Sequence, residues 1–481
     1  MSQSPSPLIA ADTTAACLDA LADRFPPTAL LVGADVPARN LQDTSYLPPV
    51  RPSAVVRPDS AQGVAEAMRI CAEHGVAVVP QGGLTGLAGG AHPVAGAVMI
   101  SLERFTGVEE LDPASATITV RAGTPLEVVQ KTAEAAGFFV ALDLGARGSC
   151  QIGGNLGTNA GGNRVIRYGM AKEMVLGLEY VLPDGTLVTG LNKMLKNNAG
   201  YDLKQLFLGS EGTLGIITRA VLRLHSRPGC THAALCGVET YARVVELLAM
   251  ARRGLGPMLS AFEVMWPDYW REATVTVKGV RAPIQGEHAF YVLIEMQGLD
   301  EEIDGARFMR WIEKAFEDEV ISDAAVSQSM ADVAAFWRTR DAAGEFGTVL
   351  GPHVAFDIGL PVTAMDDFAR TCRARLSAEL PDMLSVYYGH IADGNLHIVA
   401  LSRGATPQPM SEISSIVYAV VREFGGTVSA EHGIGLLKKT YLGYTRSPEE
   451  LALMARLKAA LDPAGLLNPG KVFDLPTEGA R

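Results

Sequence analysis

The stretch GARGSCQIGGNLGTNAGG, residues 145–162, decides the fold of this 481-residue chain. Two glycine pairs enclose Asn155, Thr158 and Asn159, a density of glycine that turn chemistry alone does not explain. Glycine permits positive φ and lets a ligand approach the backbone closely. Two more glycine-rich stretches flank it, VVPQGGLTGLAGG at 78–90 and GSEGTLGIIT at 209–218. Three such stretches predict a cofactor site.

The first of these stretches follows a predicted strand that ends at Pro80. Its successive backbone N–H groups form a nest that suits a pyrophosphate. It is not the strand–GxGxxG–helix fingerprint of a dinucleotide domain, because that spacing is missing and the apolar strand AVMISL follows where a helix should begin. Taken alone, this stretch could equally be an ordinary tight turn that binds no phosphate.

Outside the glycine stretches the chain shows two patterns of predicted secondary structure. Between about 53 and 225, β-branched runs such as VAVVP and TITVRAG alternate with helical patterns at 60–74 and 125–136, which predicts an α+β domain. From about 230, longer helical patterns alternate with strands such as HAFYVLIEMQ, which predicts a second domain. These longer helical patterns cover 241–254, 301–319, 364–379, 409–424 and 448–461.

Composition excludes several classes of protein. A net charge of −12 argues against nucleic acid as a partner, because such binders need a clustered basic face. Six cysteines without a CxxC pair indicate neither a disulfide framework nor a thiolate zinc site. The N-terminus lacks the features of a signal peptide, and no stretch approaches the ~18 apolar residues of a membrane span. We therefore expect a cytoplasmic protein without a membrane span.

Two segments near the C-terminus concentrate histidines, YYGHIADGNLHIVAL at 387–401 and SAEHGIG at 429–435. His390 and His397 flank a turn-forming Asp-Gly-Asn, so the chain can aim both imidazoles at one point. Together with the carboxylate of Glu431 they supply three ligands and leave an open position, as in a catalytic metal site. Zn²⁺ is the leading candidate, with Mn²⁺ or Fe²⁺ as alternatives. A histidine pair that only satisfies hydrogen bonds in a core is the competing interpretation.

These glycine and histidine motifs resemble, over roughly 45–474, the flavoprotein superfamily that includes vanillyl-alcohol oxidase, and within it the D-lactate and D-2-hydroxyglutarate dehydrogenases. The resemblance implies an α+β fold with a two-part, PCMH-type FAD-binding domain and an α+β cap domain with a central antiparallel sheet. It implies an N-terminal helix and loop (1–45), the FAD-binding domain (46–227), the substrate- and metal-binding cap (228–465), and a C-terminal segment that returns to the FAD-binding domain (466–481).

In that family the three glycine stretches surround FAD. Some members of the superfamily tether the flavin to a histidine of the first loop, but residues 80–90 contain none and His92 is the only nearby candidate. A tether requires a reachable nucleophilic side chain, so we expect non-covalent FAD. The cofactor-binding residues that the resemblance implies are Pro80, Gly82, Gly83, Thr85, Gly86, Ser149, Gly153, Gly154, Thr158, Asn159, Gly161, Gly162, Glu211, Gly212, Ile217 and Asn468.

The resemblance also assigns the metal to His390, His397 and Glu431, and the catalytic base to His432. Breaking the C2–H bond of a hydroxy acid leaves positive character at C2 unless the hydroxyl proton departs. A metal lowers the pKa of coordinated water from about 16 to about 7, and an adjacent imidazole can accept the proton near neutral pH. The implied reaction is oxidation of a D-2-hydroxy acid to a 2-oxo acid, with hydride transfer to flavin N5.

The substrate carboxylate needs a cationic partner, which the family provides as an arginine in the segment that reads AAFWRTRDAAGEF here. The planar fork of arginine pairs bidentately with a carboxylate. We assign Arg338 to this role, with Arg340 as the fallback and a surface arginine as the competing interpretation. Asn395 is a further predicted substrate contact.

This sequence departs from the family at the positions that grip a second carboxylate. Members acting on D-2-hydroxyglutarate carry a lysine two residues before the Asp of a KxD segment, where Ala355 stands, and a threonine four after the arginine, where Ala342 stands. Burying a carboxylate without a partner costs several kcal/mol. The prediction is therefore a monocarboxylic substrate with a small or apolar side chain, such as D-lactate, D-2-hydroxybutyrate or D-mandelate. Gln151 stands where the family usually has a histidine, and the sequence gives no reason for this change.

Four alternatives stay open. They are a D-2-hydroxyglutarate dehydrogenase, a glycolate or hydroxyacid oxidase subunit, a non-redox flavin-dependent synthase, and an inactive flavin- or metal-binding scaffold. The synthases need a histidine-rich motif and a phosphate grip that this sequence lacks, and a scaffold would not need Glu431 followed by His432. The expected electron acceptor is a soluble electron-transfer flavoprotein or cytochrome, and the expected assembly is a homodimer.

Overall fold

The computed structural model describes residues 11–475, which divide into two compact units. Unit 1 draws on Met1–Gly162, Met170–Arg227 and Glu431–Arg481, and unit 2 on Asn163–Gly169 and Pro228–Ala430. The chain therefore returns to unit 1 at Glu431, whereas the sequence predicts the return at residue 466. The helical pattern at 448–461 resembles those of unit 2, so sequence alone does not separate it from them. Residues 1–10 and 476–481 of the predicted terminal segments lie outside the described residues.

Five of the longer helices begin at polar caps. The side chains of Ser60, Thr240, Asp300, Ser329 and Ser447 each accept a backbone N–H in the first turn of the helix that follows, which satisfies an otherwise unpaired donor. The helical patterns found in the sequence are confirmed to within about two residues at each end for the longer helices of unit 2. In the described residues the α-helices are α1 (Ala11–Ala22), α2 (Ala61–Glu73), α3 (Leu126–Ala135), α4 (Ile152–Gly157), α5 (Val165–Tyr168), α6 (Tyr241–Gly254), α7 (Pro267–Arg271), α8 (Glu301–Glu317), α9 (Met330–Arg340), α10 (Phe346–Val349), α11 (Met365–Glu379), α12 (Met410–Glu423) and α13 (Pro448–Leu461).

The strands of unit 2 are mostly longer than those of unit 1, and most are buried on both faces. Their runs of β-branched and aromatic residues suit a sheet covered by helices. In chain order the strands are β1 (Leu30–Val32), β2 (Ala54–Val56), β3 (Val78–Gln81), β4 (Val98–Ser101), β5 (Val108–Asp112), β6 (Thr117–Arg121), β7 (Phe138–Phe139), β8 (Val175–Val181), β9 (Leu187–Gly190), β10 (Ile216–Arg223), β11 (His225–Ser226), β12 (Cys230–Val238), β13 (Leu259–Met265), β14 (Phe290–Gly298), β15 (Asp323–Val326), β16 (Val354–Gly359), β17 (Met383–His390) and β18 (Asn395–Ser402).

Unit 1 has two main sheets. The first, ordered β1-β2-β4-β3, pairs its last three strands in parallel, and the second, β5-β6-β10-β8-β9, is antiparallel. A two-stranded β11-β7 ribbon completes the unit. The first glycine stretch begins within β3, and the third leads into β10, so both are anchored to sheets at one end.

Unit 2 is built on one antiparallel sheet of seven strands, ordered β15-β12-β14-β13-β17-β18-β16. On one face, apolar side chains of β12, β14, β17 and β18 form a core with α7, α9 and α10. Because side chains alternate between the two faces of a strand, the same face also carries the polar residues of the inner strands described below. The predicted α+β class, with a central antiparallel sheet in the second domain, is confirmed.

Candidate functional site

The glycine stretches of unit 1 line one cleft. The third stretch supplies Glu211, Gly212 and the first residues of β10. His432, the predicted base, also lines this cleft. The predicted cofactor-binding residues found in its lining are Pro80, Gly82, Gly83, Thr85, Gly86, Gly153, Gly154, Thr158, Glu211, Gly212 and Ile217.

Two of the glycines are required by close contact between loops. A Cβ at Gly83 would lie 2.1 Å from the backbone oxygen of Ser149, and one at Gly212, where φ is +68°, would lie 2.6 Å from Cγ of Pro80. Both contacts are far inside van der Waals separation, so any side chain would push the loops apart. The glycines therefore allow the three stretches to pack against one another around the cleft.

The lining fits a flavin nucleotide in its chemistry. Leu102 and Phe207 give it apolar walls, and the glycine loop supplies a nest of backbone N–H groups for phosphates. The side-chain oxygen of Gln151 is buried at the cleft and has no hydrogen-bond partner among the described residues. An unpaired buried acceptor calls for a donor, so Gln151 is now assigned to the cleft. The sequence marked Gln151 as a departure from the family, but it did not single out Leu102 or Phe207, since isolated apolar residues carry no motif signal.

The remaining predicted cofactor residues support the loops instead of lining the cleft. Asn159 accepts the N–H of Lys172 at 2.9 Å, and Asn468 donates to the backbone oxygens of Gly90 and Glu211. A Cβ at Gly161 would lie 2.8 Å from Oε1 of Glu431, and one at Gly162 would lie 2.3 Å from the oxygen of Asp143. Ser149 lines a neighbouring cleft. His92 is buried and absent from the lining residues.

Glu211 holds the turn that carries His432. Its Oε1 accepts the N–H of Ile434 at 2.7 Å and its Oε2 accepts the N–H of Gly435 at 2.8 Å. Burial raises the pKa of this carboxyl above its usual value, although the two N–H groups and nearby lysines oppose the rise. Gly433, at φ +77°, leaves no room for a side chain beside the carboxylate. Glu211 therefore holds the turn next to the predicted base, a role that the sequence motif did not indicate.

The substitution Glu211→Gln tests this clamp. A carboxamide keeps one acceptor oxygen but turns an N–H₂ group toward the second backbone donor, so we expect a loss of about 1.5–3 kcal/mol in unfolding free energy. We also expect at least a tenfold fall in kcat, because His432 loses its position. Denaturant unfolding and steady-state kinetics at measured flavin content check this. Glu173→Gln, at an exposed glutamate of the same unit, is the control, and equal behaviour of the two variants would contradict the clamp.

A row of polar residues crosses the sheet of unit 2. In register, Glu263 of β13 stands opposite His390 of β17, and His397 of β18 stands opposite both Tyr388 and Asp357. The imidazole rings of His390 and His397 are 5.2 Å apart between centroids and nearly perpendicular. Unit 2 therefore brings the two predicted histidine ligands together, while the third, Glu431, belongs to unit 1 beside Gly161.

Glu263 is bonded at both oxygens. His390 Nδ1 lies 2.6 Å from Oε1, and Nε of Arg340 donates to Oε2 at 2.7 Å. Burial alone raises the pKa of Glu263, but His390 and Arg340 outweigh it and hold the pKa at about 2. The carboxylate is therefore ionised, and it offsets the charge of a buried arginine.

The two candidate arginines lie on different sides of α9. The side chain of Arg338 is 53% exposed and pairs with Glu345 at 3.0 Å, whereas that of Arg340 is 10% exposed and faces Glu263. Residues two apart on a helix differ by about 200° in direction, so only one of them can face the sheet. Of the two, Arg340, the fallback for binding the substrate carboxylate, is the one that faces the polar residues of the sheet, and it also stacks over Tyr388 with 5.2 Å between its Cζ and the ring centroid.

Asn395 supports the turn between the two histidines. Its side chain is buried and donates through Nδ2 to Oδ1 of Asp357 at 2.9 Å, and Gly394 before it has φ +89°. Its buried Oδ1 has no hydrogen-bond partner among the described residues, and the substrate contact assigned to Asn395 stays a prediction.

Comparison with known proteins shows which family this chain belongs to. The model of "FAD linked oxidases, C-terminal domain" matches residues 227–472, and that of "FAD binding domain" matches residues 52–190. This chain belongs to the FAD-linked oxidases. A D-2-hydroxyglutarate dehydrogenase of Xanthomonas citri pv. viticola is 41% identical over 89% of this chain and 91% of its own. A putative mitochondrial D-lactate dehydrogenase of Schizosaccharomyces pombe is 38% identical over 86% of this chain and 81% of its own.

The solved structures support the fold of this FAD-linked oxidase. Substrate-bound p-cresol methylhydroxylase superposes with a TM-score of 0.77 at 16% identity, covering 97% of this chain and 98% of the other. The family models and the relatives confirm the predicted resemblance to vanillyl-alcohol-oxidase-type flavoproteins, and this superposition confirms the predicted fold. No helix among residues 11–475 combines the length and apolar character needed to cross a membrane. The yeast relative is named as mitochondrial, so a cytoplasmic location stays a prediction.

Proposed function

We propose that this FAD-linked oxidase dehydrogenates monocarboxylic D-2-hydroxy acids with a small or apolar side chain to 2-oxo acids. The relatives' names support D-2-hydroxy acids as the substrate class. The observation that favours a monocarboxylic member of that class is the face of β16. Ala355 stands there two residues before Asp357 and so on the same side of the strand, where a methyl group replaces the lysine ammonium.

The family's threonine lies four residues after the arginine that binds the substrate carboxylate. If that arginine is Arg340 and not Arg338, the corresponding residue here is Gly344. Gly344 has no side chain at all, and a Cβ there would meet nothing within 4 Å. Both groups that would grip a second carboxylate are therefore missing, whichever arginine is taken as the reference. The second candidate, D-2-hydroxyglutarate, is favoured by the names of several relatives.

We assign the chemistry to five side chains. The guanidinium of Arg340 binds the substrate carboxylate through its Nη donors, while its Nε stays on Glu263. His432 accepts the hydroxyl proton. His390, His397 and Glu431 hold a divalent metal, with Zn²⁺ as the leading identity, since two imidazoles and a carboxylate suit an open catalytic site. When bound, FAD accepts the hydrogen of C2 with its electron pair, and the metal lowers the pKa of the substrate hydroxyl.

The decisive experiment is anaerobic reduction of the bound flavin by a panel of D- and L-2-hydroxy acids. We expect D-lactate, D-2-hydroxybutyrate or D-mandelate to bleach the flavin absorbance and the L-enantiomers to leave it unchanged. Chelation is expected to abolish the bleaching, and Zn²⁺ or Mn²⁺ to restore it. A much higher kcat/KM for D-2-hydroxyglutarate than for every monocarboxylic acid would favour the second candidate. Oxygen uptake during turnover would indicate an oxidase in place of a dehydrogenase using an electron-transfer flavoprotein or cytochrome.

The substrate preference can be tested by restoring the lysine and the threonine that would bind a second carboxylate. The double variant Ala355→Lys, Gly344→Thr is expected to raise kcat/KM for D-2-hydroxyglutarate about 10- to 100-fold, since a hydrogen bond to a charged group is worth about 1.5–3 kcal/mol. The matched control, Ala355→Met with Gly344→Thr, adds similar length without charge and should give no such gain. Equal activity of both variants on D-2-hydroxyglutarate would show that β16 does not face the substrate.

A further inference from the structure

One buried carboxylate organises both groups that unit 2 contributes to the proposed chemistry. Glu263 is fully buried, and its two oxygens are divided between His390 Nδ1 and Arg340 Nε. The pairing of β13 with β17 sets Glu263 directly opposite His390, so the contact is built into the register of the sheet. The side chain of Arg340 reaches the same carboxylate from the end of α9.

The contacts around His390 define its tautomer. Nη2 of Arg340 lies 3.0 Å from Nε2 of His390. A guanidinium is always protonated and only donates, so Nε2 accepts in this contact. A neutral imidazole has one N–H and one lone pair. The proton therefore resides on Nδ1, where it is donated to Glu263.

We propose that Glu263 is a positioning residue that holds His390 in the Nδ1–H tautomer, with its lone pair at Nε2, and fixes the direction of the Arg340 guanidinium. In the metal-free protein this lone pair accepts from Nη2 of Arg340, so a metal bound at Nε2 would replace that contact and free Nη2 for the substrate carboxylate. This inference rests on the proposed function, in which His390 is a metal ligand. A carboxylate behind a ligating histidine fixes its tautomer and ring orientation, and its loss typically lowers metal affinity 10- to 100-fold. If Glu263 only neutralised the buried arginine, removing its carboxylate would leave the tautomer of His390 unchanged.

The substitution Glu263→Gln separates these two roles. With Arg340 Nε donating to the remaining oxygen, the new amide nitrogen faces Nδ1 of His390 and donates to it. The imidazole must then carry its proton on Nε2, which turns the metal-binding nitrogen into a donor. An analogous carboxylate-to-amide change behind a catalytic histidine has the same effect on the tautomer.

Glu295 offers a matched control on the neighbouring strand β14. It is equally buried, and it accepts from Arg164 Nε at 3.0 Å, Ser260 Oγ at 2.8 Å and Trp337 Nε1 at 2.8 Å. Glu295→Gln removes the same buried charge beside another arginine. Any general loss of stability should therefore appear in both variants, whereas the tautomer of His390 should change in only one.

The test uses the full-length, metal-free holoprotein with ¹⁵N-labelled histidine at about pH 8.5, where an ordinary imidazole is neutral. The His390 signals are assigned by comparison with His390→Ala. We expect Nδ1–H in the parent and in Glu295→Gln, which both keep the carboxylate of Glu263, and Nε2–H in Glu263→Gln. We also expect Zn²⁺ affinity, measured by chelator competition, to fall 10- to 100-fold in Glu263→Gln alone.

Two outcomes would overturn the inference. One is an Nε2–H tautomer of His390 in the parent protein, and this measurement does not depend on whether any variant folds. The other is an unchanged tautomer in Glu263→Gln, or equal changes in both variants. If the tautomer switches as expected but the parent binds no Zn²⁺ and no D-2-hydroxy acid reduces the flavin, the positioning role stands and the proposed function fails.

Discussion

Replacing His432 with alanine is expected to lower kcat about 10²- to 10⁴-fold, the range that a positioned general base contributes. His432 lines the cleft of unit 1 beside the glycine stretches, and Glu211 holds the turn that follows it. The loss should appear in the bleaching rate of the flavin by substrate under anaerobic single-turnover conditions. The flavin content should stay near that of the parent, because the glycine loops that form the cleft are unchanged.

The matched control is His74→Ala. His74 ends α2 and is absent from the cleft lining, so kcat should stay within about twofold of the parent, as for most surface substitutions. If His432→Ala kept full activity with bound flavin, another group would have to accept the proton, and the assignment of the base would be wrong.

Arg340→Leu is expected to have the second-largest effect, and it acts on two properties. It leaves the ionised carboxylate of Glu263 buried without its arginine, and breaking a buried pair in this way costs about 3–5 kcal/mol of unfolding free energy. It also removes the proposed partner of the substrate carboxylate, so kcat/KM should fall by at least about 10²-fold. Arg340→Lys keeps the positive charge and should recover part of the stability, but not the bidentate contact.

Arg338→Leu is the control on the same helix. Its side chain is half exposed and paired with Glu345 on the surface, and such pairs contribute about 0–1 kcal/mol. Denaturant unfolding and the kcat/KM of the three variants therefore discriminate between the two arginines. A larger loss of activity in Arg338→Leu than in Arg340→Lys would restore Arg338 as the substrate-binding residue.

Much of the cofactor cleft was accessible from the sequence because its residues form contiguous motifs. Glycine pairs mark places where the backbone must approach a ligand or another loop, and the separations at Gly83 and Gly212 bear this out. The same motifs do not distinguish glycines that line the cleft from those that allow loop packing. Gly161 and Gly162 belong to the second kind, since the contacts that exclude a side chain there come from distant parts of the chain.

By itself, the sequence determined the fold class, the family, the position of the longer helices and the clustering of the histidine segments, because these depend on local spacing and on residue type. Only the tertiary structure decided which arginine faces the sheet, since helix α9 presents Arg338 and Arg340 to opposite sides. It also revealed Glu263, which lies 127 residues from His390 in the chain but directly opposite it in the sheet. Strand pairing creates such contacts, and no local pattern in the sequence records which strands become neighbours.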